Sequence, residues 1–98
     1  MNTCSEIAIF KVPKENRARV IELSLSVVKE INAEKTVILS HEILSKTDDD
    51  EEICWHLIWL NVEAVALVSK KWQSFPSTKE LESLVTNKVY YGHFVSLF

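Results

Sequence analysis

The fold of this chain is decided by residues 53–72, ICWHLIWLNVEAVALVSKKW, where a strand pattern changes into a helix pattern at one polar residue. The first eight residues are apolar apart from one histidine and rich in large side chains, which predicts a buried strand over Ile53–Leu60. From Val62, apolar residues recur at helical spacing as far as Trp72, which predicts a helix. Asn61 separates the two, and its side-chain oxygen is expected to cap the helix by accepting a backbone N–H.

The remaining elements follow from the same two periodicities. Apolar alternation predicts three more strands, and longer runs with helical spacing predict two more helices. The segment LSLSV within the first helix also fits strand alternation, but eighteen residues without Gly or Pro favour a helix. In chain order, these elements are a strand over Ser5–Val12, a helix over about Lys14–Ile31, a strand over Thr36–Leu44, a short helix ending near Val85 and a strand over Lys88–Phe98.

Two local signals complete the prediction of secondary structure. The run Ser45–Glu52, SKTDDDEE, ends in five successive acids and contains no apolar residue, which predicts a solvated loop between two strands of a hairpin. Ser77 and Glu80 have the spacing of a capping box, so they are expected to begin the short helix.

The order of elements predicts an α+β fold, the ferredoxin-like βαββαβ sandwich, with both main helices on one face of a four-stranded antiparallel sheet. Right-handed crossovers place the first and third strands at the centre of that sheet. Every strand is apolar on both faces, so the face without helices is expected to pack against a second copy. The prediction is therefore a homodimer whose paired sheets form a dimeric α+β barrel.

Composition excludes several classes of protein. The 98 residues are predicted to form one domain, 1–98, and the 47% hydrophobic content favours self-association. A net charge of −3 without a basic cluster argues against nucleic acid as a partner. Because no apolar run is long enough to span a membrane and no signal-peptide pattern is visible, we expect a cytoplasmic protein with no membrane partner.

The histidines are the first candidates for chemistry. If the hairpin closes symmetrically, Leu44 faces Ile53 and His41 lies directly across from His56. A one-residue slip or a bulge would separate the two histidines. The other face of the third strand carries Trp55 and Trp59 and is more apolar, so we assign it to the dimer barrel and the histidine face to the helices.

His41 and His56 are thus the predicted catalytic pair, because neutral imidazole can move a substrate proton near physiological pH. The alternative is that each histidine is only hydrogen-bonded within the core. Tyr91 with His93 on the last strand forms a second candidate pair, for substrate binding.

No cofactor or metal is expected. The single Gly in the chain cannot form a phosphate-binding Gly-rich loop. Cys4 and Cys54 are expected to be reduced thiols, and their separation fits no zinc-site spacing.

A family resemblance sharpens this interpretation. The strand ending in Trp59, followed by NVEAVALVSKKWQSFPSTKELESLV, resembles the antibiotic biosynthesis monooxygenase type of dimeric α+β barrel. The resemblance implies a homodimer with one pocket per subunit between sheet and helices, and enzymes that oxidise aromatic or quinol-like compounds with molecular oxygen, without metal or flavin. Stress-responsive dimeric barrels share the same plan.

The resemblance also implies where the functional residues lie. Enzymes of that family use a polar residue in the first strand, typically Asn, and His or Trp in the helices after the third strand. Here the first strand offers only Glu6 and Lys11, and those helices offer only Trp72, which joins the candidate substrate-binding residues. The absence of a helical histidine disfavours the haem-degrading members.

Three functions are compatible with these features. The first is a cofactor-independent monooxygenase-like enzyme acting on a small aromatic or quinol-like compound. The second is a non-catalytic barrel that binds a small apolar ligand, and the third is a structural dimer that modulates another protein. A reacting polar group on the wall of a cavity distinguishes the first from the second, and a pocket filled by side chains would favour the third.

Overall fold

The computed structural model describes residues 2–98, and its elements follow the predicted order. Single 3-10 turns at Lys14–Asn16 and Trp72–Ser74 join the main elements. The strands are β1 (Cys4–Lys11), β2 (Ile38–Lys46), β3 (Asp49–Trp59) and β4 (Asn87–Val95), and the helices are α1 (Arg17–Ile31), α2 (Val62–Lys70) and α3 (Thr78–Leu84).

The predicted ferredoxin-like sandwich is confirmed. All strand pairs are antiparallel, and the sheet order is β2-β3-β1-β4, with β1 and β3 at the centre as the crossover rule requires. Helix α1 buries one stripe of residues against the sheet, which explains why its helical period outweighs the short strand-like segment. The buried residues of α1 are Val20, Leu23, Ser24, Val27, Val28 and Ile31.

The predicted acidic loop is wrong, because most of its residues are strand. Strand β2 continues to Lys46 and β3 begins at Asp49, which leaves a turn of two residues. The acids stay exposed or half-buried within the strand and pair with neighbouring lysines, including Lys11 with Asp49 at 3.1 Å. The tight turn, with a register shift between Ser45 and Lys46, sets the hairpin one residue away from the symmetric register.

This one-residue difference in register separates the two histidines that were predicted to pair. Leu44 pairs with Cys54, and His56 faces Glu42 instead of His41. Because side chains alternate across a strand, His41 and His56 now lie on opposite faces of the sheet. The prediction that they line one wall together is wrong.

The assignment of the two faces of the sheet is also inverted. Trp55 and Trp59 point toward the helices, where both are almost fully buried. The indole N–H of Trp55 donates to Ser24 Oγ at 3.0 Å, and that of Trp59 donates to Glu6 Oε1 at 3.0 Å. A buried indole requires an acceptor, and the helix side of the sheet supplies one to each ring.

The face without helices carries the other set of strand residues. It presents half-buried and exposed apolar side chains together with His56, whose Nδ1 lies 3.3 Å from Glu42 Oε1. Tyr90 and Phe94 stack on this face at 6.4 Å between ring centroids. The apolar residues of this face are Ile7, Ile9, Leu44, Cys54, Ile58, Tyr90 and Phe94.

Element ends show one confirmed and two wrong predictions. Asn61 caps α2 as predicted, with its side-chain oxygen 2.8 Å from the N–H of Ala64. The capping box is wrong, because the Ser77 hydroxyl donates instead to Glu30 at 2.5 Å and Glu80 binds Arg19. Strand β4 ends at Val95, short of the predicted end. No helix within residues 2–98 is both long and apolar enough to cross a membrane.

Replacing Asn61 with Ala is expected to lower the free energy of unfolding by about 0.5–2 kcal/mol, because the Ala64 N–H loses its acceptor. Urea unfolding followed by tryptophan fluorescence measures the change. Asn61→Asp retains the acceptor and is the control. Equal losses in both variants would show that the cap contributes nothing.

Candidate functional site

A cavity of about 370 Å³ lies between the sheet and the helices. Its walls are mostly apolar and aromatic and come from all four strands and all three helices, which suits a small apolar ligand. Few polar side chains reach it, and Glu6 is the one that is almost fully buried. The main lining residues are Glu6, Ala8, Phe10, Val27, Ile31, Ile38, Trp55, Leu57, Trp59, Val68, Trp72, Leu81, Glu82, Lys88 and Tyr91.

Glu6 is the central polar group of this site. It lies in the middle of the sheet on β1, on the helix side, and only 4% of its surface is exposed. Trp59 Nε1 donates to Glu6 Oε1 at 3.0 Å, and His93 Nε2 lies 3.1 Å from the same oxygen. Among residues 2–98, Glu6 Oε2 has no hydrogen-bond partner, so one carboxyl oxygen is held by the protein and the other is free for a ligand.

Strand β4 adds the second part of the site. Register pairs His93 with Glu6 and Tyr91 with Ala8, which sets both side chains on the helix side of the sheet. Tyr91 OH lies 3.5 Å from His93 Nε2, and the two rings meet edge to face at 5.0 Å. Tyr91 and His93 therefore lie together as predicted, and His93 also contacts Glu6.

Burial governs the acidity of this cluster. It raises the pKa of Glu6 above the ordinary range of a glutamate, and the Trp59 N–H and the charge of His93 only partly offset that rise. Burial, followed by the charge of Glu6, also raises the pKa of Tyr91. A carboxyl group whose pKa is raised toward neutrality is suited to exchange protons with a ligand.

The raised pKa of Glu6 predicts a pH-dependent cost to stability. Since the folded-state pKa exceeds the unfolded one, the protonated carboxyl is tolerated in acid, and that stability is lost as pH rises through the folded-state pKa. Glu6→Gln is therefore expected to be more stable than the natural protein at neutral pH, with the difference vanishing in mildly acidic buffer. Urea unfolding at several pH values measures this, and a difference independent of pH would contradict it.

Trp72 lies at the edge of the same cavity. It follows α2 in a 3-10 turn, and its indole N–H donates to Glu82 Oε2 on α3 at 2.9 Å. Both residues line the cavity, so this hydrogen bond ties together the two segments that cover one side of it. The structure thus places Trp72 and Tyr91 on the cavity wall, with His93 behind Glu6.

The predicted catalytic histidines lie elsewhere. His41 is exposed on the edge strand β2, and His56 is on the face without helices, paired with Glu42. Neither residue lines the cavity. A catalytic role for either residue stays an untested prediction, and the function proposed below uses neither.

Glu6 is the residue that the list of candidate sites missed. The first strand names it as a polar candidate, and its alternation with Ala8 and Phe10 sets it on an apolar face. A carboxylate in such a pattern needs a partner or a function, because burying an unpaired charge is costly. A carboxylate on an apolar strand face, together with two tryptophans that need acceptors, identifies Glu6 as a site residue. The assumed hairpin register that set His41 opposite His56 is a weaker signal.

Solved structures with this architecture are numerous. SnoaB, a cofactor-independent oxygenase from Streptomyces nogalater, aligns with a TM-score of 0.80 at 17% identity, covering 98% of this chain and 94% of its own. A proposed antibiotic biosynthesis monooxygenase from Bordetella bronchiseptica covers 100% of both chains at 12% identity, with a TM-score of 0.76. The fold is that of the antibiotic biosynthesis monooxygenases. A proposed antibiotic biosynthesis monooxygenase from Chloroflexus aurantiacus aligns at 15% identity with a TM-score of 0.74, covering 98% of this chain and 94% of its own.

The sequence itself matches no protein-family model and no curated protein. At these identities the structural neighbours show the fold, and they agree with the family resemblance carried by the Trp59-to-helix junction. What the cavity binds has to be argued from its own residues.

Proposed function

We propose that this chain is a cofactor-independent monooxygenase that oxidises a small aromatic or quinol-like compound within the cavity. One observation carries the proposal: a buried carboxyl group with a raised pKa lines an apolar, aromatic-lined cavity, and its hydrogen bonds from Trp59 and His93 both go to one oxygen. An inert binding cavity does not need such a group, because burying it costs stability. The cofactor-independent oxygenase among the structural neighbours supports the choice of reaction.

The reaction begins with a proton transfer to Glu6. A substrate of the anthrone type carries an activated CH₂ group, and Glu6 Oε2 takes one of its protons to leave an electron-rich anion. The anion is stabilised by delocalisation over its rings, which the aromatic walls of the cavity contact. Trp59 and His93 hold the other carboxyl oxygen, so the base stays aimed at the cavity.

Molecular oxygen then completes the oxidation. The anion transfers electrons to O₂ and forms a carbon–oxygen bond, and the resulting peroxide takes up one proton from water. Loss of water from this hydroperoxide leaves a carbonyl group. One CH₂ group and one O₂ thus become one C=O and one H₂O, and the substrate itself supplies all the electrons.

Oxygen uptake with dithranol, a hydroxylated anthrone, tests the proposal. Purified protein treated with EDTA and given no flavin is expected to consume oxygen in proportion to dithranol, at a rate that saturates with dithranol concentration. Quenching of tryptophan fluorescence reports binding in the same cavity, since three tryptophans line it. Saturable quenching without oxygen uptake above the buffer rate would favour the ligand-binding alternative.

The proposal includes a homodimer formed through the face without helices. That face exposes large apolar side chains, among them Leu44 and Phe94, on a sheet whose other face is covered. A second copy with the same surface would remove them from water, which is the main drive to association. The paired His56 and Glu42 would then lie within the interface.

Leu44→Glu is expected to convert the dimer to a monomer, because it sets a charge within the apolar contact. Leu67→Glu is the matched control, since Leu67 is more exposed than Leu44 but lies on α2, away from that face. Sedimentation velocity at micromolar concentration measures both. A natural protein that sediments as a monomer would remove the dimer from the proposal.

A further inference from the structure

We propose that protons leave the cavity through His93, which acts as a relay between Glu6 and solvent at the β4 edge of the sheet. This inference rests on the proposed function, because it concerns the proton that Glu6 receives. It assigns to His93 a role beyond binding the substrate.

The hydrogen-bond partners of Glu6 leave one route by which a proton on its carboxyl group can reach solvent. Within residues 2–98, Glu6 forms hydrogen bonds with Trp59 and with His93. An indole N–H is a donor and cannot accept a proton. His93 is therefore the one protein group in contact with the carboxyl that can take a proton from it. An apolar ligand in the cavity covers the opposite side, so the path through the cavity closes when substrate is bound.

Exposure increases along this path. The side chain of Glu6 is 6% exposed and that of His93 is 24% exposed. Tyr91, whose hydroxyl lies 3.5 Å from His93 Nε2, is 62% exposed. The carboxyl is thus the buried end of the cluster, and the partly exposed imidazole lies between it and the exposed Tyr91.

The transfer conserves protons at each atom. Before the transfer, His93 Nδ1 carries one proton, and a second proton is shared between Glu6 Oε1 and His93 Nε2, which are 3.1 Å apart. As Oε2 receives the substrate proton, the shared proton moves fully to Nε2. The imidazolium then releases a proton to water from Nδ1, which has no hydrogen-bond partner within residues 2–98. Imidazole suits this step because its two nitrogens can bind and release protons near neutral pH.

The charged and titratable groups around the pair are few. Glu6 faces His93 from β1, the Cys4 thiol lies next to Glu6 on the same face of β1, and Tyr91 faces His93 from β4. On the helix side, Glu82 and Lys88 line the cavity, and Glu82 accepts from Trp72. Lys88 is the one cation among these groups, and it pairs with Phe10, four residues along β1 from Glu6.

Anaerobic mixing with dithranol tests the relay without turnover. The coloured dithranol anion and an indicator dye report, by stopped flow, how fast the protein removes a proton and releases it to buffer. His93→Gln is the decisive variant, because glutamine can still donate to Glu6 but cannot carry a proton. We expect it to slow proton release by about 10²-fold or more with dithranol affinity unchanged. His93→Ala should slow proton release to the same extent, and added imidazole should restore the rate.

The outcomes separate the relay from the proposed function. Proton release at the natural rate in His93→Gln, or no recovery of His93→Ala with imidazole, overturns the relay and leaves Glu6 as the base. Imidazole should not restore Glu6→Gln, since the base itself is missing. Normal anion formation without later oxygen uptake overturns the oxygenase reaction and leaves the relay intact. Absence of dithranol binding overturns both.

Discussion

Glu6→Gln is expected to lower the rate of dithranol oxidation by about 10²–10⁴-fold, the range by which a positioned general base accelerates a reaction. Glutamine has nearly the same shape and can still accept from Trp59, so the cavity is preserved. The amide cannot take a proton from the substrate. The loss should therefore appear in kcat, with dithranol binding measured by fluorescence quenching little changed. Oxygen uptake under saturating dithranol measures it.

Glu34→Gln provides the matched control for this substitution. Glu34 is an exposed carboxylate after α1 and does not line the cavity, so its removal should leave the rate unchanged. Because Glu6→Gln is also expected to be more stable than the natural protein at neutral pH, lost activity cannot be attributed to unfolding. A Glu6→Gln protein that retains the natural rate would show that the buried carboxyl is not the base.

Trp55→Ala is expected to lower the free energy of unfolding by about 3–5 kcal/mol, the cost typical of truncating a buried aromatic side chain. Trp55 packs edge to face on Phe10 at 5.7 Å between ring centroids and donates to Ser24, and both contacts would be lost. The Ser24 hydroxyl would retain its bond to Val20 O at 2.7 Å, so no orphaned donor adds to the cost. Urea or thermal unfolding measures the change.

The neighbouring residue supplies the control. His56 lies on the opposite face of β3, half-exposed and paired with Glu42, so His56→Ala is expected to cost less than about 1 kcal/mol. The comparison tests the orientation of the sheet directly, because adjacent residues face opposite layers. A larger loss of stability in His56→Ala than in Trp55→Ala would show that the histidine face of β3, and not the tryptophan face, packs against the helices.

Much of the fold could be predicted from periodicity and from local signals. The order of elements, the sheet order and the Asn61 cap follow from residues within a few positions of one another. Handedness then leaves one arrangement of the strands. Local rules failed where a tertiary partner competes, as at Ser77, whose hydroxyl bonds to Glu30 on α1 rather than to its own helix.

The candidate site was predicted less well, for a physical reason. The family resemblance directed attention to Trp72 and to the polar residues of the first strand, and Tyr91 with His93 was a candidate pair from β4. Nothing local indicates that Glu6, His93 and Trp59 meet, since 53 and 87 residues separate Glu6 from its two partners along the chain. Only the pairing of β1 with both β3 and β4 brings them together.

The sequence by itself determined the type and order of the elements, because hydrophobic period and capping act over a few residues. Tertiary structure decided which face of each strand is the core. The register shift between Ser45 and Lys46, beside the two-residue turn, set the register of β2 on β3, and a register one residue away would have placed His41 opposite His56. On the helix side, Trp55 and Trp59 are buried, and their indole N–H groups find acceptors in Ser24 and Glu6. Strand alternation is symmetric between the two faces, so this choice depends on contacts that no local pattern contains.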